Sequence, residues 1–189
     1  MKYLKIVLSL LALLGLSGCV SGTSSYYILS VASQPQTTYS AQKRVIGVTK
    51  VTVPGYLYKR DIAVAESSSQ ITLLGSAQWG EDLDSGLTSR LIGYLQKKFN
   101  QPDVYSYPWG IDKQPDIKVS VQVTRFIAQG DTVYLDATWS LVDVKTKRRK
   151  ARLFSTQVPT KSDVQSIVNA MDSAFSQFEQ TVAMGIKQF

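Results

Sequence analysis

Histidine is absent from the 189 residues, and cysteine occurs once, at Cys19. Without histidine there is no Ser-His-Asp or Cys-His catalysis, no imidazole-ligated metal and no general base poised near neutral pH. With a single cysteine the chain forms no internal disulfide, so the fold rests on packing. Long apolar runs are scarce too. The run from Ile6 to Leu16 spans about eleven residues, whereas a helix that crosses a bilayer needs roughly 20. No internal repeat and no second-domain boundary is visible. Acidic residues are outnumbered, 14 against 21 basic ones.

What is present begins with the first 18 residues. Lys2 and Lys5 make a positive start, the apolar run follows, and Ser17 and Gly18 supply a small-residue cleavage site, which together read as a signal peptide over 1–18. Leu16-Ser17-Gly18-Cys19 resembles the lipobox of bacterial lipoproteins. That resemblance implies cleavage before Cys19 and a covalent lipid on its thiol and amine, S-diacylglycerol plus an N-acyl chain such as palmitate. Small residues let the peptidase reach the bond, and a thiol is the most nucleophilic side chain for lipid transfer. An uncleaved signal anchor, or a signal peptide cut elsewhere, is the alternative.

Residues 19–25 read as a lipidated tether. The six residues from Val20 to Ser25 are small and polar and reach at most about 20 Å. Val20, rather than Asp, follows the cysteine; by the sorting rule of enterobacterial lipoproteins this implies the outer membrane, with the domain facing the periplasm. From Cys19 onward 171 residues remain, enough for one domain with its own core. Setting Lys2 and Lys5 aside, the net charge of +7 becomes +5. An exported chain does not meet nucleic acid, so its anionic partners are lipid headgroups, lipopolysaccharide or acidic protein surfaces.

The remaining 26–189 read as a single periplasmic domain. Tyr26–Leu29 is a short strand, and Arg44–Val53, rich in β-branched residues, is a buried strand ended by Pro54-Gly55. Asp61–Ala65, Ile71–Leu74 and Val104–Tyr107 read as shorter strands. Leu83, Leu87, Leu91, Tyr94 and Leu95 recur at helical spacing, with Glu81, Asp82 and Asp84 in the first turns and Lys97 and Lys98 in the last, as the helix dipole favours. Ile117, Val119, Val121 and Val123 alternate with polar residues, as do Leu135, Ala137, Trp139 and Leu141 beyond Gly130. Period two on both sides of a Gly-containing loop predicts an antiparallel hairpin with one apolar face. A third strand follows from about Ala151 to Val158. Val164, Val168, Met171, Phe175, Phe178 and Val182 form one stripe on a long helix over roughly 162–187, with Thr160 and Asp163 spaced like a capping box. The fold class expected is α+β: an antiparallel sheet covered on one face by two amphipathic helices, a two-layer sandwich.

Catalytic and metal-ligating constellations do not emerge. Ser40-Ala41-Gln42-Lys43 matches the Ser-x-x-Lys of penicillin-binding enzymes, but it falls in a loop. The companion Ser-Asp-Asn and Lys-Thr-Gly elements are missing, and Lys145-Thr146-Lys147 lacks the glycine. Two stretches suggest contacts instead. Lys145, Lys147, Arg148, Arg149 and Lys150 crowd one turn, with Arg152 after it. They are candidates for an anionic surface, or a solvated turn that maintains solubility. Tyr56, Leu57 and Tyr58 follow a Pro-Gly turn and are candidates for partner binding, unless they fold back onto the core.

The lipobox, Tyr26-Tyr27-Ile28-Leu29, Val51-Thr52-Val53-Pro54-Gly55-Tyr56-Leu57, Trp79 with Leu83, Leu87 and Leu91, and the alternating strand after Asp116 together resemble the ABC-type transport auxiliary lipoprotein family, the PqiC-like proteins. The resemblance implies a periplasm-facing outer-membrane lipoprotein. Its partner would be an MCE-type transport protein, anchored in the inner membrane, that moves lipid between membranes. It brings no catalytic residues. Three functions stay open: a non-enzymatic auxiliary protein that docks onto a transport component, a lipid-binding shuttle with its own apolar pocket, and an envelope hydrolase. Self-association also stays open.

Overall fold

The alternating stretch after Asp116 forms the middle of the sheet, as its period demands. The computed structural model describes residues 24–40, 44–108, 110 and 114–189. The signal peptide, Cys19, most of the tether and much of Ser40-Ala41-Gln42-Lys43 lie outside them. In chain order the strands are β1 (Ser25–Tyr27), β2 (Ile46–Thr49), β3 (Asp61–Ala65), β4 (Ile71–Trp79), β5 (Val104–Tyr107), β6 (Ile117–Gln129), β7 (Thr132–Asp143) and β8 (Arg149–Pro159). The helices are α1 (Leu83–Phe99) between β4 and β5, and α2 (Val164–Lys187) at the end; a one-turn 3-10 helix spans Gly55–Tyr58.

β6, β7 and β8 run as an antiparallel meander, with Val119 opposite Leu141, Val121 opposite Trp139 and Val123 opposite Ala137. Between Val123 and Arg125 the register shifts by one residue, a bulge. The shift moves the inward phase from odd to even positions, so Phe126 and Ala128 point into the core after Val123. β6 lends its other edge to two strands in turn. β2 lies parallel to its start, with Ile46 beside Ile117, and β3 lies parallel to its end, with Val64 beside Ala128.

β5 pairs in parallel outside β2, β4 antiparallel to β3, and β1 in parallel to β4. The sheet is therefore mixed and open: antiparallel along the meander and in the β3–β4 hairpin, parallel at the other pairings. Parallel neighbours need a crossover, and between β2 and β5 the β3–β4 hairpin and α1 supply it. The long strand expected over Arg44–Val53 stops at Thr49. Val51 turns its N–H away from the sheet to Thr88 Oγ1 on α1, at 2.9 Å, and only Thr52 rejoins, bridging to Gln122.

Both helices pack on the apolar face, and one contiguous core joins Leu87, Leu91 and Phe99 of α1 to Phe175, Phe178 and Val182 of α2 and to the inward residues of β6 and β7. Phe178 meets Phe175 at 5.4 Å and Phe154 of β8 at 5.3 Å between ring centroids. The α+β two-layer architecture expected from the sequence is what forms. Asp163 is itself the N-cap of α2, accepting from the Ser166 N–H at 2.9 Å. Thr160 takes no part in the cap.

Candidate interaction surfaces

Cys19 lies outside the described residues; from Ser25 onward the chain is held firmly. β1 sits on β4, and the Tyr27 carbonyl accepts from the Gly80 N–H at 2.7 Å. From Ile28 to Tyr39 the backbone then runs along the outer side of α1 like a strap. Arg90 donates to the Leu29 carbonyl at 3.4 Å, Lys97 to the Ala32 carbonyl at 2.8 Å, and Lys98 to the carbonyl and hydroxyl of Thr37 at 2.5 and 3.0 Å. Tyr39 closes the run, donating its N–H to the Lys98 carbonyl at 2.6 Å. Its ring carries the ammonium groups of Lys98 and Lys187, each 4.4 Å from the centroid. The strap buries Lys98, which the helix pattern alone would leave in solvent.

Arg90 is the centre of this end of the molecule. Its side chain has no exposure, yet it bonds Glu179 Oε1 at 3.2 Å, the Asp172 carboxylate and carbonyl, and the Ser176 hydroxyl at 2.8 Å. One guanidinium thus ties α1, α2 and the strap together. Glu179 is equally buried, and its Oε2 has no partner among the described residues. Burial pushes the Glu179 carboxyl up to about 8, against the opposing pull of Arg90. Tyr94 is pushed up to about 12, by burial first and then by the Glu179 charge. Neither Arg90 nor Glu179 reaches solvent, so this pair pins helices and meets no ligand.

The Pro54–Tyr58 turn separates its three candidate residues. Leu57 is in the core at 4% exposure, and its N–H closes the turn on the Pro54 carbonyl at 2.9 Å. Tyr56 is half-buried, with its hydroxyl accepting from the Phe126 N–H at 3.3 Å beside the β6 bulge. Burial raises its phenol above the usual range. Tyr58 is turned outward at 58% exposure. Beside Tyr56 a cleft of about 670 Å³ opens between the Ser67–Gln70 turn and the end of β6. Arg125 lies along it, stacked on the Tyr134 ring at 3.8 Å and bonded to Gln129 Oε1 at 2.7 Å.

The basic turn is not one patch. Lys147 takes a left-handed conformation at φ 62°, and Asp143 Oδ1 accepts from the Thr146 N–H at 2.7 Å, which lowers the Asp143 carboxyl. Lys145 sits 3.6 Å from Asp116. Arg148 stacks on the Phe189 ring at 4.3 Å. Alternation along β8 then sends Arg149 to the open polar face with Ser140 and Gln122, and Lys150 and Arg152 to the side of α2.

Sequence reasoning missed Arg90, Glu179 and the strap. The first two were visible in principle: Arg90 falls in phase with Leu87 and Leu91, and Glu179 with Phe175 and Val182. A charge on each of two apolar stripes signals a buried pair.

A mixed open sheet backed by two helices, with the Ile28–Tyr39 segment strapped to one of them, defines a two-layer α+β domain. The crystal structure of an uncharacterized protein has this fold at a TM-score of 0.72 and 23% identity, covering 87% of this chain and 99% of the other. A DUF330 protein from Xanthomonas campestris shares it at 0.73 and 16%, covering 85% and 93%. A PelC dodecamer from Paraburkholderia phytofirmans is more distantly similar, at 0.43 and 13%, covering 77% and 89%. No curated relative matches the sequence. The family model for the ABC-type transport auxiliary lipoprotein component matches residues 27–183, and the chain belongs to that family. Among the described residues no helix is long and apolar enough to cross a membrane.

Proposed function

We propose that this lipoprotein is a non-enzymatic docking component of an MCE/ABC-type system that moves lipid between the inner and outer membranes. Lipid on Cys19 holds it in the outer membrane facing the periplasm, and the folded domain engages an MCE-type protein anchored in the inner membrane. Membership of the transport auxiliary family carries this reading. The strap supports it, because a domain fastened close to its own membrane reaches the other one only through a partner. Tyr58 is the residue of the Pro54–Tyr58 turn available to that partner; Leu57 and most of Tyr56 are taken up by this chain's own core. A stand-alone shuttle would call for an enclosed pocket, whereas the cleft beside Tyr56 is open to solvent.

Photo-crosslinking amino acids placed at Tyr58 and, as a surface control, at Thr146, in cells that express the transport proteins, test the docking. Adducts to an MCE protein from position 58 and none from 146 are expected. Adducts from neither position, with no MCE protein in native pull-downs, overturn the reading. Changing Cys19 to Ala should release the protein from the membrane fraction; retention would refute the anchor.

A further inference from the structure

β8 is an edge that the fold leaves half guarded. It pairs with β7 in unbroken register over its 11 residues, and its other side pairs with nothing among the described residues. Half of its backbone N–H and C=O groups therefore point away from the sheet, a template for one more strand. Proteins blunt such edges by shortness, charge, a bulge or an internal proline. The other two ends of the sheet, β1 and β5, are short, at three and four residues. On β8 the charges of Arg149, Lys150 and Arg152 cover only its start. Leu153 to Val158 carry no charge, no bulge and no proline, and Leu153 is 85% exposed.

Two hollows, both open to solvent, lie between β8 and α2. One of about 450 Å³ borders Val158 and Pro159, and one of about 210 Å³ borders Lys150 and Arg152. The Thr156 hydroxyl, donating to Gln177 Oε1 at 2.7 Å, stands between them. α2 contributes Ser166, Ala170, Ser173 and Thr181 to their walls, all small and uncharged, while its acids Asp172 and Glu179 are bonded to Arg90. A strand laid along β8 would send every second side chain toward these hollows and the others over the face that carries Leu153.

The three cations decide which kind of strand. By alternation Arg149 lies with Leu153 on the open face of the sheet, and Lys150 and Arg152 lie on the α2 face. None of the three has a carboxylate partner among the described residues. A second copy of β8, paired antiparallel along its full length, would bring its own Thr156–Pro159 against them and leave all three without a counter-charge. An acidic segment would pair them on both faces, as opposite charges do across neighbouring strands.

We propose that the β8 edge and the flank of α2 accept an extended acidic segment of a partner protein as a further strand. It lies antiparallel to β8, with carboxylates beside Arg149, Lys150 and Arg152 and uncharged residues beside Leu153–Val158. Backbone hydrogen bonds to the edge supply the affinity, and the cations set direction and register. The edge draws on neither Tyr58 nor the identity of the transport partner, so it stands or falls separately from the docking reading.

Hydrogen–deuterium exchange of the full lipidated protein in a non-ionic detergent provides the test. The probe is a synthetic peptide that alternates threonine and valine and ends in a run of glutamates. Binding should slow exchange across residues 149–159 and weaken as salt rises. Arg149→Gln, Lys150→Gln and Arg152→Gln together should weaken it about tenfold. Lys145→Gln, Lys147→Gln and Arg148→Gln together, which remove the same charge from the nearby turn, should leave it intact. N-methylating the threonine and valine amides of the peptide removes its backbone donors but not its charge, and should abolish binding. Undiminished binding of the N-methylated peptide, equal loss in the two charge-removing triples, or no slowing across 149–159 at millimolar peptide overturns the proposal. Slowing that grows with protein concentration and needs no peptide would put a second copy on the edge and overturn the acidic-segment assignment.

Discussion

Replacing Gly185 with Ala isolates how closely α2 sits on the sheet. In an isolated helix this change is favourable by about 1 kcal/mol, because Ala loses less backbone entropy. Here the new Cβ would lie 2.7 Å from Trp139 Cζ3 and 3.1 Å from Cζ2, closer than carbon atoms pack. The indole is 2% exposed, so either it or the last turns of α2 must move. Overpacking of this kind costs roughly 1–3 kcal/mol. Against the propensity gain, the net expectation is destabilisation of up to about 2 kcal/mol. For a domain of this size that is a fall of up to about 8 °C in Tm. Thermal and urea unfolding followed by circular dichroism measure it. The sharper experiment repeats Gly185→Ala in a Trp139→Leu background. There the obstacle is gone and the same change should stabilise, so its sign reverses, and the double-mutant cycle reports the contact directly. Gly185→Ala that stabilises the parent protein would refute the packing argument.

Three further outcomes are expected. Glu179 holds its proton more tightly folded, near 8, than unfolded, near 4.5; its contribution to stability is full below about pH 4.5 and is lost as pH rises through 8, with a slope of at most about 1.4 kcal/mol per pH unit. Urea melts between pH 5 and 8 should show that decline, and Glu179→Gln should flatten it. Leu57→Ala should cost about 2–4 kcal/mol in unfolding experiments, whereas Tyr58→Ala should stay within about 0.5 kcal/mol. Asp163→Ala should lower Tm more than Thr160→Ala, because the former supplies the cap of α2.

The parts of the fold legible in the sequence are those with a period. Ile117–Val123 and Leu135–Leu141 alternate because one face of their hairpin is buried and the other is wet. The α2 stripe from Val164 to Val182 is legible for the matching reason at helical spacing. The bulge left a trace that the sequence reading passed over, the step from Val123 to Phe126 that breaks the alternation. Parallel pairing of β2 with β5 and β6 was not, because β2 has four residues and its neighbours are chosen by the crossover rather than by its own pattern. The strap has no period at all. Its fasteners, Lys97 and Lys98, already had an explanation as dipole partners at the end of α1, which concealed their bonds to Ala32 and Thr37. Of the candidate contact residues, the Pro-Gly signal located a turn correctly but could not separate the inward Leu57 from the outward Tyr58. The basic run could not reveal that strand alternation divides it between two faces.

The strap sets a length. Tyr26 to Tyr39 is 14 residues of chain kept flat against the domain by three basic side chains of α1 and by β1. Were those fastenings undone, the stored chain would unwind by roughly 45 Å at about 3.3 Å per residue. That is more than twice the span of the six residues ahead of it. A pull on the folded domain against its N-terminal end would act on β1 and the strap before it reached the core, with Arg90 a fastener that is bonded to α2 as well. The stretch is thus a reel with a catch: fastened, it keeps the domain at the membrane; slipped, it would let the domain stand about three times farther away than the tether alone allows.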